Sequence, residues 1–249
     1  QGKNSQVPNA QMTFVGSDVA LNADAKEAGH GGKVIVWADD TTRYYGKVSA
    51  RAGAASGDGG FVEVSGKRYL DFRGSADTRA TAGRTGTLLL DPTELRIASS
   101  GMTNITGAPG TNYTFDPTIP GTPSILDVSV LTAQLASTNV DVNVLGPLDY
   151  YIRVVDPVVW SSPSVLMLKT GPAGSIILEA SINAGASGAL KLAAGTGGIS
   201  QLVTAPISAP SLSVVSNGSV ALTANNNVGT LAGSVTGPGF SFANVNDLT

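Results

Sequence analysis

The chain has 249 residues, of which 31 are Gly and only 13% are charged, and its formal net charge is −3. That balance leaves too few Lys, Glu and Arg for a helical protein and too little basic charge for a nucleic-acid interface. The 42% of residues that are hydrophobic fall in short runs of Val, Ile and Leu between Gly, Asn, Asp and Pro, which argues against a disordered Gly-rich tract and for an all-β chain.

In chain order, the first repeated strand is Gly31-Gly-Lys-Val-Ile-Val-Trp37. It is echoed 28 residues on by Gly59-Gly-Phe-Val-Glu-Val-Ser65, and 26 further by Thr85-Gly-Thr-Leu-Leu-Leu-Asp91. Second strands follow, with Thr42-Arg-Tyr-Tyr-Gly46 aligned to Arg68-Tyr-Leu-Asp-Phe72. Third strands lie around Val48-Ser-Ala50 and Ser75-Ala-Asp77. Residues Ser99 to Pro123 break the period with Gly, Pro, Thr and Asn, and read as a loop leaving the repeat. Leu131 and Leu135, spaced i, i+4, predict a short helix with Ser129 as its N-cap. The alternation of Val140-Asp-Val-Asn-Val144 then predicts a strand, and Val154, Val155, Val158, Val159 and Trp160 rejoin the repeat.

The C-terminal part repeats in different words. Val165-Leu-Met-Leu168 aligns with Ala189-Leu-Lys-Leu192 and Ser211-Leu-Ser-Val214. Second strands follow at Ser175-Ile-Ile-Leu178, Gly198-Ile-Ser200 and Ser219-Val-Ala-Leu222. Third strands follow at Ser181-Ile182, Pro206-Ile207 and Thr230-Leu231, and Phe240-Ser-Phe242 opens another coil. Strand triplets repeating like for like predict a right-handed parallel β-helix with three short strands per coil. A β-sandwich has comparable strand spacing without that repetition. The chain divides into coils of 26–28 residues over 1–98, an irregular insertion with a short helix over 99–139, and coils of 22–24 residues over 140–249, open at the C-terminal end. Alternating Val, Ile, Leu and Phe face inward, while Ser, Thr, Lys, Glu and Ala face out.

Little in the sequence points to catalysis. His30 is the sole histidine and sits in the turn Ala28-Gly-His-Gly-Gly32, with no Gly-x-Ser-x-Gly elbow anywhere. One His and no Cys exclude a zinc site. Asp39-Asp40, Glu63, Asp71 and Asp77 are candidates for paired glycosidase carboxyls, but Asp at coil corners reads first as a cap on its own backbone. Gly57-Asp-Gly-Gly60 offers too few oxygen ligands for calcium. No catalytic, metal or cofactor residue is assigned and no cofactor is expected. Among the aromatics, Tyr45, Phe61 and Phe72 are expected inside. Trp37, Tyr44 and Tyr69 are expected outside, beside Arg43, Lys67 and Arg68, where they are candidates for recognising a sugar or a protein face. Asn104, Asn112 and Tyr113 in the insertion are further recognition candidates, and Phe240 and Phe242 are candidates for end-to-end contact.

The segments Gly31 to Gly46, Gly57-Asp-Gly-Gly-Phe-Val-Glu-Val-Ser-Gly66, Gly86-Thr-Leu-Leu-Leu-Asp-Pro92 and Ala184 to Ser200 resemble large two-partner-secretion exoproteins of the filamentous-haemagglutinin type. The resemblance covers most of the chain and is thinnest at 99–123. It implies export through a dedicated outer-membrane transporter and display on, or release from, the bacterial surface. The absence of Cys agrees with passage across an outer membrane unfolded. No run reaches the ~18 apolar residues of a membrane span. Twelve of the fifteen Lys and Arg lie at or before Arg96, and from Ala180 onward only Lys191 and Asp247 carry charge, as suits an extracellular surface. Gln1 to Gln6 read as the inside of a loop and Asn246 to Thr249 stop in mid-pattern, so a piece of a longer protein is expected. The function expected is a non-catalytic adhesive shaft, whose partner is a host-cell or glycan receptor. Its alternative is a fibre in which copies stack end to end, and a polysaccharide-active enzyme comes third. The insertion is expected to project sideways from the shaft.

Overall fold

The computed structural model describes residues 6, 8–99, 105–106, 114–115, 123–146 and 150–248. The chain winds through short strands, each of which pairs in parallel with its counterpart one coil away. The first rungs are β1 (Met12–Val15) and β2 (Ala20–Asn22). Two full coils follow: β3 (Lys33–Ala38), β4 (Thr41–Tyr44) and β5 (Lys47–Ser49), then β6 (Phe61–Gly66), β7 (Tyr69–Phe72) and β8 (Ser75–Asp77). A third opens with β9 (Thr87–Asp91) and β10 (Leu95–Ala98). The chain then leaves the stack through an antiparallel pair, β11 (Ile105–Thr106) and β12 (Thr114–Phe115), and returns as β13 (Ser124–Asp127) and α1 (Val128–Leu135). Above it lie β14 (Asn139–Val144), β15 (Tyr151–Val154) and β16 (Val158–Val159), then β17 (Val165–Thr170), β18 (Ser175–Leu178) and β19 (Ile182–Asn183). The last coils are β20 (Ala189–Ala194), β21 (Gly198–Gln201), β22 (Ile207–Ser216), β23 (Val220–Val235) and β24 (Phe240–Asn244).

Three faces result, and the first is unbroken, in the order β3, β6, β9, β14, β17, β20, β22, β23. Its inward positions form two aliphatic columns. One stacks Val34, Val62, Leu88, Val140, Leu166, Leu190, Leu212 and Leu231 in register; the other stacks Val36, Val64, Leu90, Val142, Leu168, Leu192 and Val214. Leu168, Leu192 and Val214 are vertical neighbours, as their spacing predicts. Most of these side chains are under 2% exposed, and each contributes about 1.5–3 kcal/mol relative to an exposed copy. The all-β, coil-by-coil architecture expected from the repeats is therefore the one the chain adopts.

The coil shortens along the chain. Lys33 pairs with Phe61, 28 residues on, Leu190 with Leu212, 22 on, and Leu212 with Leu231, 19 on. The shortening comes at the corners: β22 and β23 are 10 and 16 residues long and run through bends that separate distinct strands in earlier coils. In the wide coils the corners need special backbone. Gly29 and Gly57, stacked 28 residues apart, have φ of 114° and 113°, which L side chains resist. A Cβ on Gly57 would lie 2.0 Å from the Gly29 carbonyl oxygen.

Several local expectations are corrected. The second-strand register follows the 28-residue period, so Thr41 pairs with Tyr69 and Tyr44 with Phe72, two residues away from the sequence alignment. Tyr44 is consequently inside, with its ring stacked on Phe72 at 5.6 Å. Phe61 begins a strand whose inward residues are Val62 and Val64, so it faces outward, under the Lys33 ammonium. Thr230-Leu231 belongs to the first face, not the third, because Leu231 pairs with Leu212. The third-face rung is Asn227–Val228, paired with Ser208–Ala209. The helix is capped by Asp127, whose carboxylate accepts from the Ser129 amide at 2.7 Å; Ser129 lies inside the first turn. Leu131 and Leu135 are buried at their predicted spacing.

The insertion's return is out of order. β13 pairs with the lower edge of β10, Leu95 opposite Ser124, and so lies between β10 and β7. No backbone ladder joins it to β7; the Leu70 amide donates to the Ser124 hydroxyl at 3.1 Å. α1 then takes the place of a strand above β8. Gln134 replaces the missing backbone, its carbonyl accepting from the Ala76 amide at 2.7 Å and its amide donating to the Gly74 carbonyl at 3.2 Å. A buried edge thus keeps its hydrogen bonds.

Candidate functional site

Where the first face turns into the second, residues of successive coils line a groove of about 810 Å³: Asn9, Trp37, Asp39, Asp40, Lys67, Arg68, Asp91, Pro92, Thr93, Leu145, Gly146 and Tyr150. The parallel registers build it. Trp37, Ser65 and Asp91 occupy one outward column, and the turns after them supply the rest. The Trp37 indole N–H donates to Asp39 Oδ1 at 3.2 Å, and the Asn9 amide donates to the same oxygen at 3.1 Å. Asp40 accepts from Arg68 Nε at 2.5 Å and Nη2 at 3.2 Å. The Thr93 hydroxyl donates to the Lys67 carbonyl. At the far end the Tyr150 ring lies against Gly146 so closely that a Cβ there would sit 1.9 Å from it. The backbone amides of Asp39, Asp40, Lys67, Arg68 and Tyr69 donate to the carbonyls of Ala10, Gln11, Ala38 and Asp40, so side chains make the lining.

Asp91 is the unusual group. Burial, and then the neighbouring Glu63 carboxyl, push its pKa up to about 6. Glu63 is on the outer face yet only 1% exposed, hydrogen-bonded to the Ser65 hydroxyl at 3.1 Å. A carboxyl whose pKa is higher folded than unfolded binds its proton more tightly in the folded state, so stability falls as pH rises from about 4 to 6 and stays lower above. Asp91→Asn removes this dependence. Melting curves at pH 4.5 and 7.5 should show the parent more stable at the lower pH by about 1–3 kcal/mol, and the variant with most of that difference gone.

The predicted recognition residues separate. Trp37 is half-buried on the outer face and lines the groove. Tyr44 and Tyr69 are 0% and 3% exposed, which removes them from the surface; burial pushes the Tyr44 hydroxyl up to about 12. Tyr45, expected inside, is half-buried on the outer face, donating to Asp71 Oδ2 at 2.6 Å under Arg73. Asn104, Asn112 and Tyr113 lie outside the described residues. Phe240 and Phe242 sit on β24, their rings stacked at 6.5 Å, and Phe240 is 46% exposed. Their register partners Val220 and Leu222 face inward, so these rings continue the core column rather than decorate the outside.

The candidate catalytic carboxyls are dispersed. Glu63 is on the first face, Asp71 on the second and Asp77 on the third. Asp39 and Asp40 are engaged as described, and Asp77 holds Arg79 at 2.6 Å. Nδ1 of His30 accepts from the Asp58 amide at 2.9 Å, and Asp58 Oδ1 accepts from the Arg84 amide at 2.8 Å, a corner ladder that explains the histidine structurally. Asp91 had a signal in the sequence, since the offsets of 28 and 26 align it with Trp37 and Ser65. Tyr150 had none, because the insertion breaks the period before it. No family model and no curated protein matches the chain.

Proposed function

We propose that the chain is a non-catalytic shaft segment of a large secreted bacterial surface protein, similar to the filamentous-haemagglutinin type, whose role is attachment. The observation that supports this reading best is the first face, an unbroken parallel ladder from β3 to β23 with two aliphatic columns in register. Each coil contacts its neighbours above and below, so length is added without a new core, as in solenoids generally. The insertion leaves at β10 and returns at β13, which suits presentation to one side.

The chain displayed on a bacterium lacking its own adhesins should raise attachment to host epithelial cells at least tenfold. Background attachment by a displayed, folded chain rejects the reading. One observation favours the fibre alternative: the exposed Phe240, its ring stacked on the half-buried Phe242 at the β24 edge, which a further strand would cover. Filaments of the purified chain, lost on Phe240→Asp and Phe242→Asp together while attachment stays at background, would establish the fibre instead.

A further inference from the structure

We infer that the groove from Trp37 to Tyr150 binds a neutral, linear oligosaccharide lying along the coil axis. This rests on reading the chain as an attachment shaft, and it names the chemistry of what is attached. Three observations carry it.

The first is periodicity. Strands stack about 4.8 Å apart, so the groove offers one set of side chains per coil at a step comparable to that between units of a sugar chain. Trp37 marks one end and Tyr150, half-buried with part of its ring against the core, lines the other; their coils are separated by those of Lys67–Arg68 and of Asp91–Thr93. An aromatic face accepts the C–H face of a pyranose, and an amphipathic ring suits a ligand apolar on its faces and polar at its rim.

The second is the polar lining. The forked Asp40–Arg68 pair and the fixed Asp39 carboxylate are planar, pre-oriented groups of the kind that pair with adjacent hydroxyls. Their positions are set before any ligand arrives, which lowers the ordering cost of binding. Charges of both signs alternate along the groove, so a polyanion meets Asp39 and Asp91 and a polycation meets Lys67 and Arg68. A neutral ligand meets neither penalty.

The third separates a sugar from a peptide. An extended peptide docks by pairing with exposed backbone edges, and at this corner the amides of Asp39, Asp40, Lys67 and Arg68 are already bonded to neighbouring carbonyls. At those residues side chains are left to do the recognition.

The two tryptophans make the test direct. Trp37 lines the groove, while Trp160 is 5% exposed in the core, so a ligand in the groove perturbs one emission and not the other. The whole chain is titrated with cellohexaose, chitohexaose and mannohexaose, following tryptophan fluorescence and heat. At least one should give a saturable change; Trp37→Ala should weaken that binding at least tenfold, and Arg68→Gln at least fivefold. Trp37→Phe, which keeps a ring and guards against a folding artefact, should retain heat but lose the fluorescence change. Absence of saturable binding by all three, or binding equal in Trp37→Ala, overturns the assignment. Cells that attach to a chain that binds none of the three hexaoses overturn the groove while leaving the attachment reading intact. Hexaose binding without cell attachment supports the groove and rejects that reading.

Discussion

Leu192→Asp should leave the C-terminal coils unfolded under conditions where the parent melts cooperatively. Leu192 is 1% exposed, stacked between Leu168 and Val214 in the second aliphatic column. The substitution removes a buried side chain and puts an unpaired carboxylate into a dry interior, a loss of more than about 4 kcal/mol. Stability in a stack is a sum of coil and interface contributions, so the damage reaches both neighbouring interfaces. Lys191→Ser changes the adjacent, exposed outward position and should move stability by no more than about 0.5 kcal/mol. Urea melts followed by far-UV circular dichroism compare the pair. Similar losses at the two positions would mean that the inward and outward assignment of β20 is wrong.

Asn226→Ala should be nearly as damaging, although it removes a polar group. Asn226 is 0% exposed and occupies the inward third-face position that Ile207 fills one coil below. Its carbonyl accepts from the Ile207 amide at 2.8 Å and from Gln201 Nε2 at 2.7 Å, and its amide donates to the carbonyls of Leu222 and Ala243 at 3.0 Å each. In the next coil Asn244 pairs with it in register and repeats the device, accepting from the Val228 amide at 2.8 Å. Truncation strands several buried partners at roughly 1–3 kcal/mol each, so a loss of about 3 kcal/mol or more is expected. The neighbouring Asn227, exposed and bonded to Asn246, should tolerate alanine within about 1 kcal/mol. A loss at Asn226 no larger than that at Asn227 would show that the coil closes without this side chain.

The same residues explain what was legible in the sequence. Aliphatic columns are legible because each inward position of the first face wants the same kind of side chain in every coil, so Leu168, Leu192 and Val214 align by eye. Asn226 is not, because the middle residue of the polar run Asn225-Asn226-Asn227 reads as outward until its four partners are known. The side that Tyr44 faces is hidden for a related reason: Tyr44 and Tyr45 are adjacent, and only the 28-residue register decides which ring meets Phe72. β13 and Gln134 depend on contacts across more than fifty residues of sequence, which no local period encodes. The groove lies between these cases. Its Trp37 and Asp91 share a column that the repeat spacing displays, whereas the position of Tyr150 depends on how the chain rejoins the stack after the insertion.

The shortening of the coil sets how far each residue carries the molecule. A rung advances the axis by about 4.8 Å whatever its circumference. A 28-residue coil such as that from Lys33 to Phe61 therefore yields about 0.17 Å of reach per residue, and the 19-residue coil from Leu212 to Leu231 about 0.25 Å. The difference lies in the corners. Wide coils put residues into turns that hold the Asp40–Arg68, Asp24–Arg51 and Asp77–Arg79 pairs and wall the groove. Narrow coils run their strands through the bends, and from Ala180 onward carry only Lys191 and Asp247 as charged side chains. The chain thus grades from a thick segment with chemistry on its flank to a slender one that mostly adds distance.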